Sequence, residues 1–428
     1  MTLRRVQLSY NLVVFLLWLA SGLPLSLLVL FFQARGLNLL QVGLCFAVYS
    51  GAAVLLELPT GGLADTLGRR KIGLLAGFCL VAGTLVYLLA FSLAVFLLAS
   101  ILAGAGRALL SGSLEAWFVD ASLAADPEAD LQAGLAQGGA AQIAGMGTGL
   151  LAGGLLPQLF PHLPSDGTAV LTPLSTPFVA AVGIWLVATA AMAVLIREPE
   201  RSGPAATPPG VWSNVREAIR LGAADRELSL LLVPAACWGL AFGAVETFWQ
   251  PYFAGVIGSV AGRTHWFGGL FAASFLFAGL GNSLATSLSR ALGRRYALIC
   301  GLATALQMCA IVLLALQSRL LPAAVCFWLI YAANGLLQSP QSALLNQRIP
   351  PDKRATLLSL AAFCMSLGGI VGDVGLGYLA RTFSIRVAWI TAASFLLASI
   401  VAYLRLMSFP SPGAAGPVRA AEVERALQ

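Results

Sequence analysis

The chain has 428 residues, of which 59% are hydrophobic and only 10% charged, with a formal net charge of +7. Soluble domains carry about 25% charged residues, so a water-soluble enzyme has no place here. The positive charge is no nucleic-acid footprint either, since no basic stripe interleaves with aromatics.

The mean hydropathy of +0.86 calls for a bilayer as solvent. Only helices and closed barrels can span one. The apolar runs are continuous rather than alternating, which selects helices of about 20 residues or more. The first run, 8–33, follows Arg4-Arg5. It is too long for a signal-peptide core and no clear cleavage site follows, so it is read as a span. Further spans are predicted at 39–62, 72–92, 94–119, 131–156 and 176–196, with a proline-rich outer loop over 157–177. A second set is predicted at 227–257, 264–288, 297–317, 320–346, 355–380 and 386–407. The expected organisation is a six-helix bundle over 1–196, a cytoplasmic linker over 197–226 and a second bundle over 227–407. A disordered cytoplasmic tail over 408–428 completes it. The linker holds Pro199, Pro204, Pro208 and Pro209, with a surface helix expected at 211–221.

The basic residues orient the chain. With the N-terminus inside, 19 of the 25 Lys and Arg fall on the cytoplasmic side, five fall outside and Arg107 lies within a span. Both termini are therefore expected in the cytoplasm of a multi-pass cell-membrane protein. The heavy use of Arg over Lys points to a GC-rich bacterial genome. Leu67-Gly68-Arg69-Arg70 recurs as Leu292-Gly293-Arg294-Arg295, each copy between the second and third spans of its half. Such a repeat is the mark of two homologous bundles around a central cavity. The seven cysteines all lie in apolar runs with no C-x-x-C, and His162 and His265 stand far apart in loops. No metal site, cofactor site or catalytic constellation is expected.

Gly61-Gly62-Leu63-Ala64-Asp65-Thr66-Leu67-Gly68-Arg69-Arg70-Lys71 ends the second span. Gly61 lets two helices approach, and Asp65 can accept hydrogen bonds from a helix N-terminus or pair with a basic group. The segment resembles the signature loop of the major facilitator superfamily, departing from it at Thr66. The resemblance implies an all-α membrane protein of twelve transmembrane helices in two six-helix bundles. It also implies that Gly61, Asp65, Gly68, Arg69 and Arg70 latch the bundles together on the cytoplasmic side. Gly145, Gly149, Gly153 and Gly154 in the fifth span resemble the antiporter motif of drug exporters in that superfamily, with Leu150 where the motif has proline. Small residues at this spacing also simply let helices pack closely.

Ionisable residues within spans are functional hypotheses by default. Arg107 resembles the buried arginine of the fourth helix in proton-coupled relatives. Glu115 is eight residues on, roughly 12 Å along a helix, so Glu57 is the first candidate to partner Arg107. Glu57, Arg107 and Glu115 are expected to form the proton-coupling core. At a constant repeat offset, Glu57 maps to Asn282 and Arg107 to Ala332. Glu246, Phe248 and Trp249 are candidate cavity residues in the seventh span, suited to an apolar or cationic ligand. Asp120 reads as a surface residue.

The resemblance implies a secondary transporter, with a small-molecule substrate, protons and the lipid bilayer as partners, acting as a monomer without nucleic acid. Proton-coupled efflux of small organic molecules is the expected activity. Uptake or facilitated diffusion on the same fold is the alternative. A membrane-embedded enzyme or sensor would need a catalytic constellation or a soluble effector domain.

Overall fold

The structure is a computed structural model that describes residues 1–165, 167–197, 226–349 and 354–409, without the side chains of 58–67, 226 and 355–356. The expected linker and tail thus lie almost wholly outside the described residues, as does the surface helix at 211–221.

Among the described residues there are fourteen α-helices and no strands. Twelve stretches are long and apolar enough to cross a membrane. Span 1 is broken into α1 (Leu3–Leu25) and α2 (Leu28–Ala34). Span 2 is α3 (Leu39–Leu67) and span 3 is α4 (Arg69–Leu88). Span 4 is broken into α5 (Leu93–Leu110) and α6 (Ser113–Ala125). Spans 5 and 6 are α7 (Leu131–Leu159) and α8 (Thr176–Leu195). The second half continues with α9 (Arg226–Ile257), α10 (His265–Ala291) and α11 (Tyr296–Leu316) as spans 7 to 9. Spans 10 to 12 are α12 (Leu320–Arg348), α13 (Arg354–Thr382) and α14 (Ile385–Leu406).

Local chemistry starts and stops these helices. Asn38 and Gln41 form a reciprocal capping box at the start of span 2, at 3.1 and 3.0 Å, which satisfies two otherwise orphaned donors. Asp130 caps span 5 through the Ala133 N–H at 2.9 Å. Span 4 breaks at Gly112, whose φ of +71° lies in the left-handed region that favours glycine. Outward-facing side chains are large and apolar: Val194, Leu276 and Leu321 are 69%, 68% and 70% exposed. Water would penalise that surface, whereas lipid accepts it.

Packing follows the sequence repeat. In the first bundle span 1 packs on spans 5 and 6, span 2 on span 4, and span 3 on spans 4 and 6. The second bundle repeats the scheme: 7 on 11 and 12, 8 on 10, 9 on 10 and 12. An even number of spans puts residues 1 and 409 on one face, here the terminal face; the opposite one is the far face. The bundles meet mainly through span 2 against span 11 and span 5 against span 8. Those seams close in their far halves. A side chain on Gly43 would collide with the backbone carbonyl of Asp373, and one on Gly268 with that of Leu150. Gly154 and Gly268 face each other directly, each leaving room only for the other's Cα.

Candidate functional site

Toward the terminal face, polar side chains between the bundles are accessible: Glu57, Ser111, Glu115, Gln338 and Ser339. The cavity they border is sealed at the far face and lies between the bundles.

Arg107 hangs from span 4 into this cavity. It hydrogen-bonds the Tyr49 hydroxyl of span 2, and the charges of both Glu57 and Glu246 act on it. Glu57 belongs to Arg107's own bundle and accepts a hydrogen bond from Ser111 at 3.0 Å. Glu246 belongs to the other bundle. It is the accessible residue in the otherwise buried stretch 244–250, and Tyr331 of span 10 donates to it at 3.3 Å.

Helical phase builds the rest of the wall. Trp238, Phe242 and Glu246 stand four residues apart, one above another on one face of span 7. Trp238 stacks on Phe242 with centroids 4.8 Å apart and 14° between the rings. Its indole N–H donates to Asn334 of span 10 at 3.0 Å. Phe242 meets Tyr331 edge-on at 5.2 Å. The cavity therefore offers a ligand the half-buried Trp238 indole, a guanidinium and a carboxylate.

The expected core of Glu57, Arg107 and Glu115 divides. The charge of Glu57 acts on Arg107. Glu115 lies beyond the break at Gly112, where its charge acts on Tyr10 of span 1, which stacks on Phe118 at 4.4 Å. Glu246 is accessible, but Phe248 and Trp249 are not. Both are buried, at 0% and 1% exposure. Trp249 packs among Phe271, Phe327 and Phe267 at 5.1, 5.3 and 6.0 Å. The reason is angular: at 100° per residue, Phe248 points 200° away from Glu246, into the bundle core. The residues that share Glu246's face, Trp238 and Phe242, are recoverable from the sequence by stepping back in fours.

The antiporter-like glycines serve helix contact. Gly145, Gly149 and Gly153 face the backbone of span 1 at Phe15, Leu19 and Leu23, while Gly154 faces span 8 at Gly268. Of the loop motif, the helix of span 2 runs through Gly61 and Asp65, whose side chains lie outside the described residues. Gly68 has φ +99°, which glycine alone adopts freely. Arg69 donates to Asp120 and to the Ala116 carbonyl of span 4, and Arg70 to the Ala193 carbonyl of span 6. Asp120 is exposed, as read from the sequence, and is paired there with Arg69 of the same bundle. Asp373 of span 11 is buried and accepts from Thr247 of span 7 at 2.8 Å.

Comparison with known proteins places this arrangement. The family model of the Major Facilitator Superfamily matches residues 10–372 and 258–427. An uncharacterised MFS-type transporter of Bacillus subtilis (strain 168), YxaM, is 23% identical over 398 residues, 90% of this chain and 92% of that one. Among solved structures, the nucleoside transporter NupG superposes with a TM-score of 0.77 at 11% identity, over 95% of this chain and 100% of that chain. A bacterial homologue of the human lysosomal transporter Spinster, inward-facing and occupied, gives 0.74 at 15% identity, over 94% and 96%. The structural likenesses show the fold. With the family match across most of the sequence, they make this chain a member of the major facilitator superfamily and a membrane transporter.

Proposed function

We propose that this transporter couples the movement of a small organic solute to protons, through Arg107 and the two carboxylates whose charges act on it. The observation that carries the reading is that the charges of Glu57, in Arg107's own bundle, and of Glu246, in the other, both act on Arg107. Alternating access moves the bundles against each other, so the distance from Arg107 to Glu246 changes while that to Glu57 is held within one bundle. A carboxylate in a low-dielectric cavity that loses its cation needs another positive partner, a proton or a charged ligand. Solute bound against Trp238 and Asn334 lies beside that exchange.

In this reading both termini are cytoplasmic, residues 197–226 link the bundles, and the protein acts as a monomer in the cell membrane. The conformation described here is then open to the cytoplasm. Gly61, Asp65 and Gly68–Arg70 latch the bundles when the opposite conformation forms. Two directions of transport have specific support. The glycines of span 5 resemble an exporter motif. The likeness to the nucleoside transporter NupG favours uptake, and the span 5 glycines have a packing role without any reference to export.

The test uses purified protein in liposomes loaded with a pH-sensitive dye. A panel of nucleosides and aromatic amines is added, with and without an imposed pH gradient. Solute-triggered proton movement is expected in the wild type. In Glu57→Gln and Glu246→Gln it is expected to fall about tenfold or more, the scale of one lost charged partner. Gradient-driven flux with unchanged pH dependence in both variants would overturn proton coupling through this pair. Net accumulation or net loss of the solute in overexpressing cells decides the direction.

A further inference from the structure

The break in span 1 is closed by a residue of the opposite bundle. α1 ends at Leu25, just after Pro24, and α2 starts at Leu28. Leu27, which precedes α2, offers no side-chain cap, so the first N–H groups of α2 need acceptors from elsewhere. Gln250 of span 7 supplies one. Its Oε1 accepts from the Val29 N–H at 2.9 Å and the Leu30 N–H at 3.3 Å. Its Nε2 donates to the Leu25 carbonyl at 2.8 Å, on the other side of the break. An acceptor facing the second and third N–H groups of a helix is the geometry of an N-cap. Here the cap is provided in trans, by a side chain 1% exposed.

We propose that Gln250 is a positioning residue for the transport cycle, which holds the far face closed by capping the broken first span from across the bundle interface. When the far face opens, spans 1 and 7 part and all three hydrogen bonds are lost. The three backbone groups of span 1 then meet water in the opened vestibule, so the opening is costly but not forbidden. Gln250 therefore sets the ratio of the two conformations and, through it, the rate at which one of them forms. The second bundle has no such debt to the first: in span 7 the helix runs unbroken through Pro251. The inference requires transport by bundle movement and makes no use of protons or of the solute.

The experiment measures the distance between spin labels on Ser165 and Ser318, exposed far-face positions in the two bundles, in a background without the native cysteines. Gln250→Met keeps the bulk and removes every hydrogen bond. It is expected to raise the far-open to far-closed ratio about tenfold, the effect of one cap with a further hydrogen bond. Gln250→Glu keeps the acceptor and is expected to stay within about threefold of wild type. A label pair within the first bundle, Ser92 with Ser165, must keep its wild-type distance in each variant, which separates opening from unfolding. If Gln250→Met does not insert, Gln250→Asn, too short to reach both sides of the break, replaces it under the same criterion. A wild-type distance distribution in the variant that lacks the cap overturns the proposal. So does equal opening in that variant and in Gln250→Glu.

Discussion

The two bundles make the same hydrogen bond at corresponding places and fill it with different chemistry. In the first, Ser111 of span 4 donates to Glu57 of span 2. In the second, Ser339 of span 10 donates to Asn282 of span 8. One turn back along the chain from each serine stand Arg107 and Gly335. The latter is pressed so closely against the Ala278 carbonyl that no side chain fits. A charged acceptor that acts on a guanidinium is matched by a neutral amide, with glycine at the position of the guanidinium. The scaffold is symmetric where it has to pack and asymmetric where it has to carry charge. The serines also correct the constant-offset alignment: Arg107 corresponds to Gly335, not to Ala332.

The largest expected effect breaks the charged member of this pair of sites. Arg107→Ala removes the cation on which the charges of Glu57 and Glu246 both act. Transport should fall about 100-fold, the scale of weakening two charged interactions at once. Initial rates in liposomes check it, and a loss below threefold would make the two sites equivalent after all.

Next in size is a contrast between the braces at the terminal ends of the bundles. Arg348 pairs with Glu227 in the second bundle, with only 7% and 11% of the side chains exposed. Arg69 pairs with Asp120 in the first, at 17% and 45%. Arg348→Ala should destabilise the folded protein by about 3 kcal/mol, because the mostly buried Glu227 loses this cationic partner. The double variant Arg348→Met with Glu227→Met should recover most of that. Thermal unfolding in detergent, followed by tryptophan fluorescence, reads both. Asp120→Asn should cost about 0.5 kcal/mol, as expected for a pair half in water. An Asp120→Asn effect as large as that of Arg348→Ala would show that exposure does not govern these braces.

Much of the fold was legible in the sequence because a bilayer leaves few options. All twelve spans are visible as apolar runs, and Leu67–Arg70 with Leu292–Arg295 gives the repeat. The breaks were not. Ser111-Gly112-Ser113 is a turn signal, yet it lies inside an apolar run long enough to mask it. As a result Glu115, read on one straight helix with Arg107, belongs to a different helix beside Tyr10. The break at Ser26–Leu27 has Pro24 as its local trace, and its completion by Gln250 lies 221 residues away in sequence. The cavity face of span 7 was missed through nearest-neighbour reading: Phe248 and Trp249 adjoin Glu246 in the chain, whereas Trp238 and Phe242 adjoin it in space. Arg35 shows the same limit. A cation in a loop reads as a surface residue, but it is 8% exposed. It donates to the Gly167 and Val170 carbonyls at 3.2 and 2.8 Å and lies 4.1 Å from the Phe91 ring centre. Burial lowers its pKa from the ordinary arginine value.

The glycine seams bear on electrical insulation. A gate made of long side chains closes with gaps that can admit a file of water, and a file of water conducts protons. Here the wall at the far face is backbone against backbone, at Gly43 with the Asp373 carbonyl and at Gly154 with Gly268. Such a contact leaves no lumen to wet. A carrier coupled to protons, as proposed above, must not short-circuit their gradient while the solute site faces the other way. One added methyl group at Gly43 or Gly268 would prop the wall apart. Its first symptom should be a leak current in liposomes with no solute present at all.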